Sequence, residues 1–214
     1  YSEGIYTHQK MIIEAFKSAV PAIKGIYQKF RYDTKGQNDE SHVFGEKAPE
    51  PLLVQENGIQ YATYMNDGLM TGIFLDQREV REAIREKYAV GKTILNTFSY
   101  TGAFSVAAAM GGALETTSVD LANRSLPKTK EQFEVNGIDP ETQKIIVMDV
   151  FDYFKYASKK ELSFDTVIID PPSFARSKKR TFSVAKDYSK LLEEVIEITN
   201  KNGVIVASTN AANV

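Results

Sequence analysis

The chain has 214 residues, 43% of them hydrophobic and 25% charged, as is typical of a soluble globular protein of one or two domains. Its net charge of −2 provides no overall basic surface, so a polyanion would have to bind a local patch. No cysteine and only two histidines are present, which excludes disulfides and thiolate chemistry in this chain and leaves us expecting no metal site. We also expect no membrane span and no export signal, since no suitable apolar segment occurs.

The first 68 residues predict a small α+β domain. Apolar side chains at helical spacing predict a helix over 7–19, with Thr7 as its N-cap. Alternation in "IKGIYQKFRY" predicts a strand, and the polar stretch 33–50 predicts a loop. Asn57-Gly58 predicts a hairpin turn. Because the chain begins at Tyr1 and ends just after a predicted strand, we expect it to be part of a longer protein.

Residues 69–214 alternate predicted strands with predicted helices. Alternation of this kind implies right-handed crossovers and a doubly wound, Rossmann-like α/β sheet. We expect Asn136-Gly137 and Asn202-Gly203 to end helices, and "REVREAIREK" (78–87) to form an exposed helix face with charge pairs. The predicted strands are 93–98, 116–120, 144–149, 165–170 and 203–209, and the clearest helices are 102–112, 122–137 and 186–203.

The turn after the first of these strands has the character of a ligand loop. Open parallel sheets bind ligands beyond the carboxyl ends of their strands. The segment "NTFSYTGAFS" (96–105) is polar, and Gly102 would let the backbone and the N–H groups of the next helix approach a ligand closely. The G-x-G-x-x-G fingerprint is absent, which disfavours a pyrophosphate ligand.

Acidic residues end the next two strands in the order that an adenosine would require. Asp120 could accept hydrogen bonds from both ribose hydroxyls. Asp149, followed by Val150 and Phe151, suits an adenine whose amino group donates to the acid while its face packs on apolar side chains. Each acid alone is also typical of a helix cap. Together with the loop, they indicate an adenosine that lacks a pyrophosphate, and hence S-adenosylmethionine.

The fourth strand ends in "IIDPPSF", which predicts a rigid turn lined with hydrogen-bond acceptors. Pro171 and Pro172 fix the backbone and remove two N–H donors, so their carbonyls and the Asp170 carboxylate remain as acceptors. A planar substrate could donate an amino group to these acceptors and stack on Phe174. The alternative is a structural turn without a ligand.

Four segments in this order and spacing resemble the class I S-adenosylmethionine-dependent methyltransferases, and most closely the bacterial large-subunit 23S rRNA methyltransferases. They are "LNTFSYTGAFSVAAAMGGA", "SVDLANRSL", "VMDVFDYF" and "IIDPPSF". "TGIFLDQREVR" (71–81) is similar to the family's segment along the methionine end of the cofactor. The resemblance spans roughly residues 55–214. It implies an RNA partner, S-adenosylmethionine as cofactor and a cytoplasmic location, and we also expect a homodimer.

The resemblance also implies site residues by position. The target base would be held by Asp170, Pro171, Pro172 and Phe174. The cofactor would contact the methionine-end segment Phe74, Leu75, Asp76, Gln77 and Arg78, the loop residues Asn96, Phe98, Tyr100, Thr101 and Gly102, then Asp120 and Leu121, then Asp149, Val150 and Phe151, and finally Asp170.

The base that is methylated is predicted from a missing cysteine. The branch of the family that forms 5-methylcytosine needs a thiolate to add at carbon 6 of the pyrimidine, supplied just after the fifth strand. Here "STNAANV" has Thr209 and Asn210 at that place, so we favour a purine nitrogen. The alternatives are cytosine C5 methylation with a thiol from elsewhere, an inactive cofactor- and RNA-binding module, and a nucleotide-dependent oxidoreductase. "ARSKKR" (175–180) could contact phosphates or form a solvated loop.

Overall fold

A computed structural model describes residues 3–33, 41–176 and 181–211. It divides into two compact units: the first comprises Tyr1–Val54 and Ala62–Ile73, and the second comprises Gln55–Tyr61 and Phe74–Val214. Each unit contains two separate segments of the chain, whereas the sequence analysis predicted two domains, 1–68 and 69–214, with one boundary between them. That domain division therefore stays a prediction.

The described residues of the first unit include two helices and a short antiparallel pair of strands. Helix α1 is Glu3–Tyr6, α2 is Gln9–Ala19, and β1 (Gly25–Tyr27) pairs with β2 (His42–Gly45). The N-cap prediction for Thr7 is wrong, because its hydroxyl donates to the Gly4 carbonyl of α1 (2.8 Å) and His8 occupies the cap position. The predicted strand in 23–32 is shorter than expected, and the predicted loop over 33–50 contains β2.

The Asn57-Gly58 turn forms as predicted. It joins β3 (Leu52–Glu56) to β4 (Ile59–Thr63). Asn57 has φ = 49° and Gly58 has φ = 80°, and a two-residue hairpin turn of type I′ requires positive φ at both positions.

The second unit is built on a five-stranded parallel sheet, which confirms the predicted doubly wound α/β fold. The strand order is β11-β8-β5-β6-β7, so the order reverses beside β5. The sheet strands are β5 (Thr93–Thr97), β6 (Glu115–Asp120), β7 (Lys144–Val147), β8 (Phe164–Ile169) and β11 (Thr199–Ala207). The helices of this unit are α3 (Arg78–Ala83), which continues as a π-helical turn (Ile84–Tyr88), then α4 (Ala103–Met110), α5 (Ser125–Glu134), α6 (Val150–Lys159) and α7 (Val184–Glu197).

Alternate residues of the central strands pack into cores on opposite sides of the sheet, as the two-residue period of a strand requires. Leu95, Val167 and Ile169 belong to the core that includes side chains of α6 and α7. Ile94 and Ile168 belong to the core that includes side chains of α4 and the π-helical turn. Burial on both faces explains why these strands read as continuous apolar runs.

The last helix and strand differ from the prediction. Helix α7 ends at Glu197, where the Thr199 hydroxyl donates to the Val195 carbonyl (2.7 Å). Strand β11 starts at Thr199, so Asn202-Gly203 lies within it and does not end a helix. The register of β11 against β8 shifts between Thr199 and Val204.

A short hairpin that the sequence analysis did not predict follows β8. Strand β9 (Phe174–Arg176) pairs antiparallel with β10 (Thr181–Ser183). Most of the basic run "ARSKKR" falls at 177–180, outside the described residues, so its contact with phosphate stays a prediction. Within the described ranges, no helix is long and apolar enough to cross a membrane.

Candidate functional site at the carboxyl edge of the sheet

The loop between β5 and α4 is a tight turn with three left-handed residues. Phe98 (φ = 54°), Tyr100 (51°) and Gly102 (77°) all have positive φ. Non-glycine residues in this region cost on the order of 1 kcal/mol each, and such conformations cluster at ligand sites. A Cβ at residue 102 would lie 2.5 Å from Thr129 Cγ2, so both the space and the positive φ favour glycine there.

Asp120 joins this loop to the end of β6. One carboxylate oxygen accepts from the Tyr100 N–H (2.9 Å) and the other from the Ala122 N–H (2.8 Å). Burial raises the pKa of Asp120, while these hydrogen bonds and the nearby Arg124 oppose the rise. Each carboxylate oxygen can accept more than one hydrogen bond, so Asp120 keeps capacity for a further donor. Leu121, directly after it, is exposed.

Asp149 caps helix α6. Its Oδ1 accepts from the N–H groups of Phe151 (3.0 Å) and Asp152 (3.4 Å). Among the described residues, its other oxygen makes no hydrogen bond and remains able to accept one. Val150 and Phe151 are buried behind it. Asp149 can therefore cap the helix through one oxygen and bind a ligand through the other.

Three aromatic rings form a cluster beside Asp149. The Phe151 ring lies 6.5 Å from that of Phe98 and 5.5 Å from that of Phe182, and the Phe98 and Phe182 rings are 6.2 Å apart. Phe98 comes from the loop, Phe151 from α6, and the buried Phe182 from the β9–β10 hairpin. The cluster thus joins the predicted adenine side to the hairpin that carries Phe174.

Two residues that were predicted to contact the cofactor, Asn96 and Thr101, are buried below the carboxyl edge of the sheet. Asn96 is buried within β5, and its amide donates to the Ser105 hydroxyl (2.9 Å), which is 2.7 Å from the Ser118 hydroxyl. This chain of side chains ties β5 to α4 and β6. Thr101 is also fully buried. Both residues therefore support the shape of the loop.

The segment Phe74–Arg78 lies against the same edge. The Phe74 ring is 5.7 Å from the Tyr100 ring, and Leu75–Gln77 form a 3-10 turn that leads into α3. The Asp76 carboxylate is near enough to Asp170 to raise the pKa of that carboxyl. Arg78 donates to the Asn57 side chain (3.3 Å).

Arg81 corrects the prediction of an exposed charged helix face. It is only 3% exposed and donates twice to Glu56, from Nε to Oε1 and from Nη2 to Oε2, both at 2.7 Å. Its Nη1 donates to the Phe74 carbonyl (2.9 Å), and its guanidinium lies 5.5 Å from the Tyr61 ring centre. Arg81 therefore holds the start of the Phe74–Arg78 segment, and sequence spacing alone could not reveal its partner 25 residues away.

Asp170 lies at the end of β8, next to the end of β11. The Ser208 hydroxyl donates to its Oδ1 (2.5 Å), and burial raises the pKa of Asp170. In the turn that follows, Pro171 is buried, Pro172 is exposed, and Phe174 is 61% exposed. An exposed aromatic ring thus follows a half-buried carboxylate along the chain.

The structure brings the three predicted carboxylates to one edge of the sheet. Asp120 ends β6, Asp149 follows β7, and Asp170 follows β8, and these strands are parallel members of one sheet.

The sequence analysis missed Ser208, Tyr188 and Phe182. Ser208 could have been found by aligning the ends of the fourth and fifth strands, whereas Phe182 depends on a hairpin that had no clear sequence signal.

Comparison with known proteins gives a consistent result. The family model described as S-adenosylmethionine-dependent methyltransferase matches residues 16–214. YwbD of Bacillus subtilis (strain 168), provisionally named a ribosomal RNA large subunit methyltransferase, is 63% identical over 214 residues, which cover 99% of this chain and 54% of YwbD. Ribosomal RNA large subunit methyltransferase K of Neisseria meningitidis serogroup B is 40% identical over 166 residues, which cover 77% of this chain and 47% of that protein.

Solved structures agree with the sequence relatives. The crystal structure of SMU.776, provisionally named a methyltransferase and solved in complex with SAH, has a TM-score of 0.91 and 54% identity. The match covers 98% of this chain and 53% of that one. The chain therefore spans about half the length of the curated relatives and solved structures that it matches.

Proposed function

Because the chain belongs to the S-adenosylmethionine-dependent methyltransferase family, we propose that its second unit binds S-adenosylmethionine at the carboxyl edge of the sheet and methylates a base of RNA. The observation that carries the proposal is the convergence of Asp120, Asp149 and Asp170 on that edge, beside the left-handed loop. The fit of the cofactor rests on Asp120, a half-buried carboxylate with spare acceptor capacity. The SAH complex of SMU.776 supports the same cofactor.

We propose that Asp120, with Leu121 alongside, accepts hydrogen bonds from the ribose hydroxyls of the cofactor. The free oxygen of Asp149 accepts a hydrogen bond from the adenine amino group. Val150, Phe151 and Phe98 form the apolar wall for the adenine. The Tyr100-to-Gly102 turn and the Phe74–Arg78 segment, which Arg81 holds through the Phe74 carbonyl, enclose the methionine end.

The proposed RNA substrate is 23S rRNA. The names of YwbD and of the Neisseria methyltransferase refer to the large-subunit ribosomal RNA. Phe174, exposed in β9 after Asp170, would supply the stacking surface that recognition of an unstacked base requires. Methylation of rRNA would take place in the cytoplasm. A homodimer stays a prediction, which sedimentation of the purified protein tests.

A purine nitrogen is the proposed acceptor atom. When bound, S-adenosylmethionine would supply an electrophilic methyl group. A nitrogen lone pair of the base would form the N–CH₃ bond as the C–S bond breaks, S-adenosylhomocysteine would leave, and any proton on that nitrogen would pass to water, without covalent help from the protein. This chain has no cysteine, and Thr209 and Asn210, just after β11, cannot supply the thiolate that methylation of pyrimidine carbon 5 needs. Asp170 and the Pro171 carbonyl would accept hydrogen bonds from the base and hold its nitrogen in line. Catalysis then depends on positioning, for which proximity effects are large.

Transfer of labelled methyl groups to undermethylated rRNA tests the proposal. We expect the wild-type chain to label the RNA, and Asp170→Ala to lose transfer while keeping its affinity for S-adenosylhomocysteine. The control is Glu193→Ala, which removes an exposed acid on α7 and should leave transfer unchanged. Calorimetry with S-adenosylhomocysteine and with NAD distinguishes the oxidoreductase alternative: binding of NAD alone would refute the proposal. Cofactor binding without any transfer would indicate an inactive module.

A further inference from the structure

Ser208 connects the ends of two neighbouring strands at the proposed acceptor site. It directly follows β11, whose Ala207 lies opposite Ile169 of β8. The Ser208 N–H donates to the Ile169 carbonyl (3.0 Å), and the Ser208 hydroxyl donates to Asp170 Oδ1 (2.5 Å). Within the described residues, this is the hydrogen bond that the Asp170 carboxylate accepts, so the other oxygen is left for a ligand.

A second side chain fixes Ser208 from the opposite direction. The Tyr188 hydroxyl, on α7, donates to the Ser208 carbonyl (3.0 Å). The backbone of Ser208 is thus held on both sides, by β8 through its N–H and by α7 through its carbonyl. The hydroxyl lies 2.5 Å from Asp170 Oδ1 and 3.5 Å from the Ile169 carbonyl oxygen, so Asp170 is its nearer acceptor.

We propose that Ser208 is a positioning residue for methyl transfer: its hydroxyl occupies one oxygen of Asp170 and directs the other toward the amino group of the target base. This inference rests on the proposed function of Asp170. It assigns to a hydroxyl at the end of the fifth strand a role distinct from the nucleophilic cysteine of the cytosine C5 branch. Ser208 itself neither attacks the base nor exchanges a proton with it.

The hydrogen bond from Ser208 also favours the ionised form of the Asp170 carboxylate. Asp170 is surrounded by groups that disfavour its ionised form: it is half-buried, and Asp76 of the 3-10 turn places a second carboxylate near it, which together raise its pKa. Burial and, next, the Asp170 carboxylate raise the pKa of Tyr188 on α7, so its hydroxyl stays neutral near pH 7. The Ser208 hydroxyl is the opposing influence, because a hydrogen bond to the carboxylate lowers the pKa.

The sign of the pH effect follows from these contacts. A protonated Asp170 is a weaker acceptor for the amino group than the carboxylate, and it can place a proton on the oxygen that faces the base, so transfer is lost as pH falls through the Asp170 pKa. Removing the Ser208 hydroxyl raises that pKa further, because the ionised form loses a donor. The acidic limb of the pH–rate profile therefore moves to higher pH in Ser208→Ala.

Single-turnover methylation by three variants tests this role. We expect Ser208→Ala to lower the transfer rate about tenfold, the effect of losing one hydrogen bond to a charged group, with unchanged affinity for S-adenosylhomocysteine. Ser208→Thr keeps the hydroxyl and should restore most of the rate. Ser158→Ala, an exposed serine on α6, should match the wild type. Equal rates and equal acidic limbs for Ser208→Ala and wild type would overturn the inference while leaving the proposed function intact.

A titration of the Asp170 carboxyl carbon by ¹³C NMR decides the same point without activity. We expect the Asp170 midpoint to lie at higher pH in Ser208→Ala than in the wild type, and Ser208→Thr to lie near the wild type. Coincident midpoints for all three proteins would contradict the assigned bond. If the wild type failed to methylate RNA, the proposed function would fall, yet this titration would still decide whether Ser208 controls Asp170.

Discussion

The buried Arg81–Glu56 pair provides the sharpest test of how the site is supported. Arg81 is 3% exposed and the Glu56 side chain 8% exposed, and they share two hydrogen bonds of 2.7 Å. Glu56→Gln leaves the guanidinium buried without its counter-charge. Breaking a buried pair in this way costs about 3–5 kcal/mol, a large part of the roughly 5–15 kcal/mol that stabilises a typical domain. Arg81→Met should lower the free energy of unfolding by a similar amount, because the Glu56 carboxylate and the Phe74 carbonyl lose their hydrogen-bond donor.

The measurement is the free energy of unfolding in urea, followed by circular dichroism, for both single variants and the double variant. We expect the double variant to lose less than the sum of the single losses, by about 2 kcal/mol or more, since no lone charge remains. We also expect Arg81→Met and the double variant Arg81→Met/Glu56→Gln to bind S-adenosylhomocysteine more weakly. In both, the Phe74 carbonyl loses the Arg81 hydrogen bond that holds the Phe74–Arg78 segment.

An exposed pair supplies the control. Lys144 and Glu115 lie 2.8 Å apart, but their side chains are 59% and 36% exposed. Lys144→Met should therefore change the unfolding free energy by less than about 1 kcal/mol. Additive losses at Arg81 and Glu56, or losses no larger than that of the control, would refute the claim that this pair holds the segment.

Three further predictions concern the edge itself. Gly102→Ala should cost about 1–3 kcal/mol of unfolding free energy and weaken S-adenosylhomocysteine binding, because the new methyl group meets Thr129 Cγ2 at 2.5 Å; Thr129→Ser in the same chain should recover part of the loss, and a fully tolerated Gly102→Ala would contradict the loop geometry. Burial raises the pKa of Asp120, and bound ribose favours its ionised form, so calorimetry should find full affinity above that pKa and a loss as pH falls through it. Asp120→Asn should bind weakly with no such pH dependence, and a pH-independent wild type would argue against ribose contact. Phe182→Ala should cost about 3–5 kcal/mol in urea unfolding and lower cofactor affinity, since its ring packs on Phe98; unchanged cofactor affinity would separate the hairpin from the adenine wall.

Much of the fold could be predicted because its signals are local. The continuous apolar runs of β5 and β8 are typical of strands buried on both faces, and the positive φ of the Asn57-Gly58 turn follows from residue type. The acids at the strand ends could be predicted to meet, because parallel strands place their carboxyl ends together.

Long-range contacts explain what the sequence analysis missed. Arg81 has the spacing of a solvent-facing residue, and only its meeting with Glu56 and Tyr61 makes it internal. Strand β11 begins before the predicted strand because it pairs with β8 across a register shift that residue types do not encode. Ser208 gains its role from the same pairing, and Phe182 from the β9–β10 hairpin.

Nucleoside mass spectrometry of rRNA treated with this chain and labelled S-adenosylmethionine tests the central claim most directly. We expect the label on a ring or amino nitrogen of guanine or adenine, and no label when Asp170 is replaced by alanine. Labelled 5-methylcytosine, formed by a chain without a cysteine, would contradict the assigned chemistry, and unlabelled RNA would contradict methyl transfer itself.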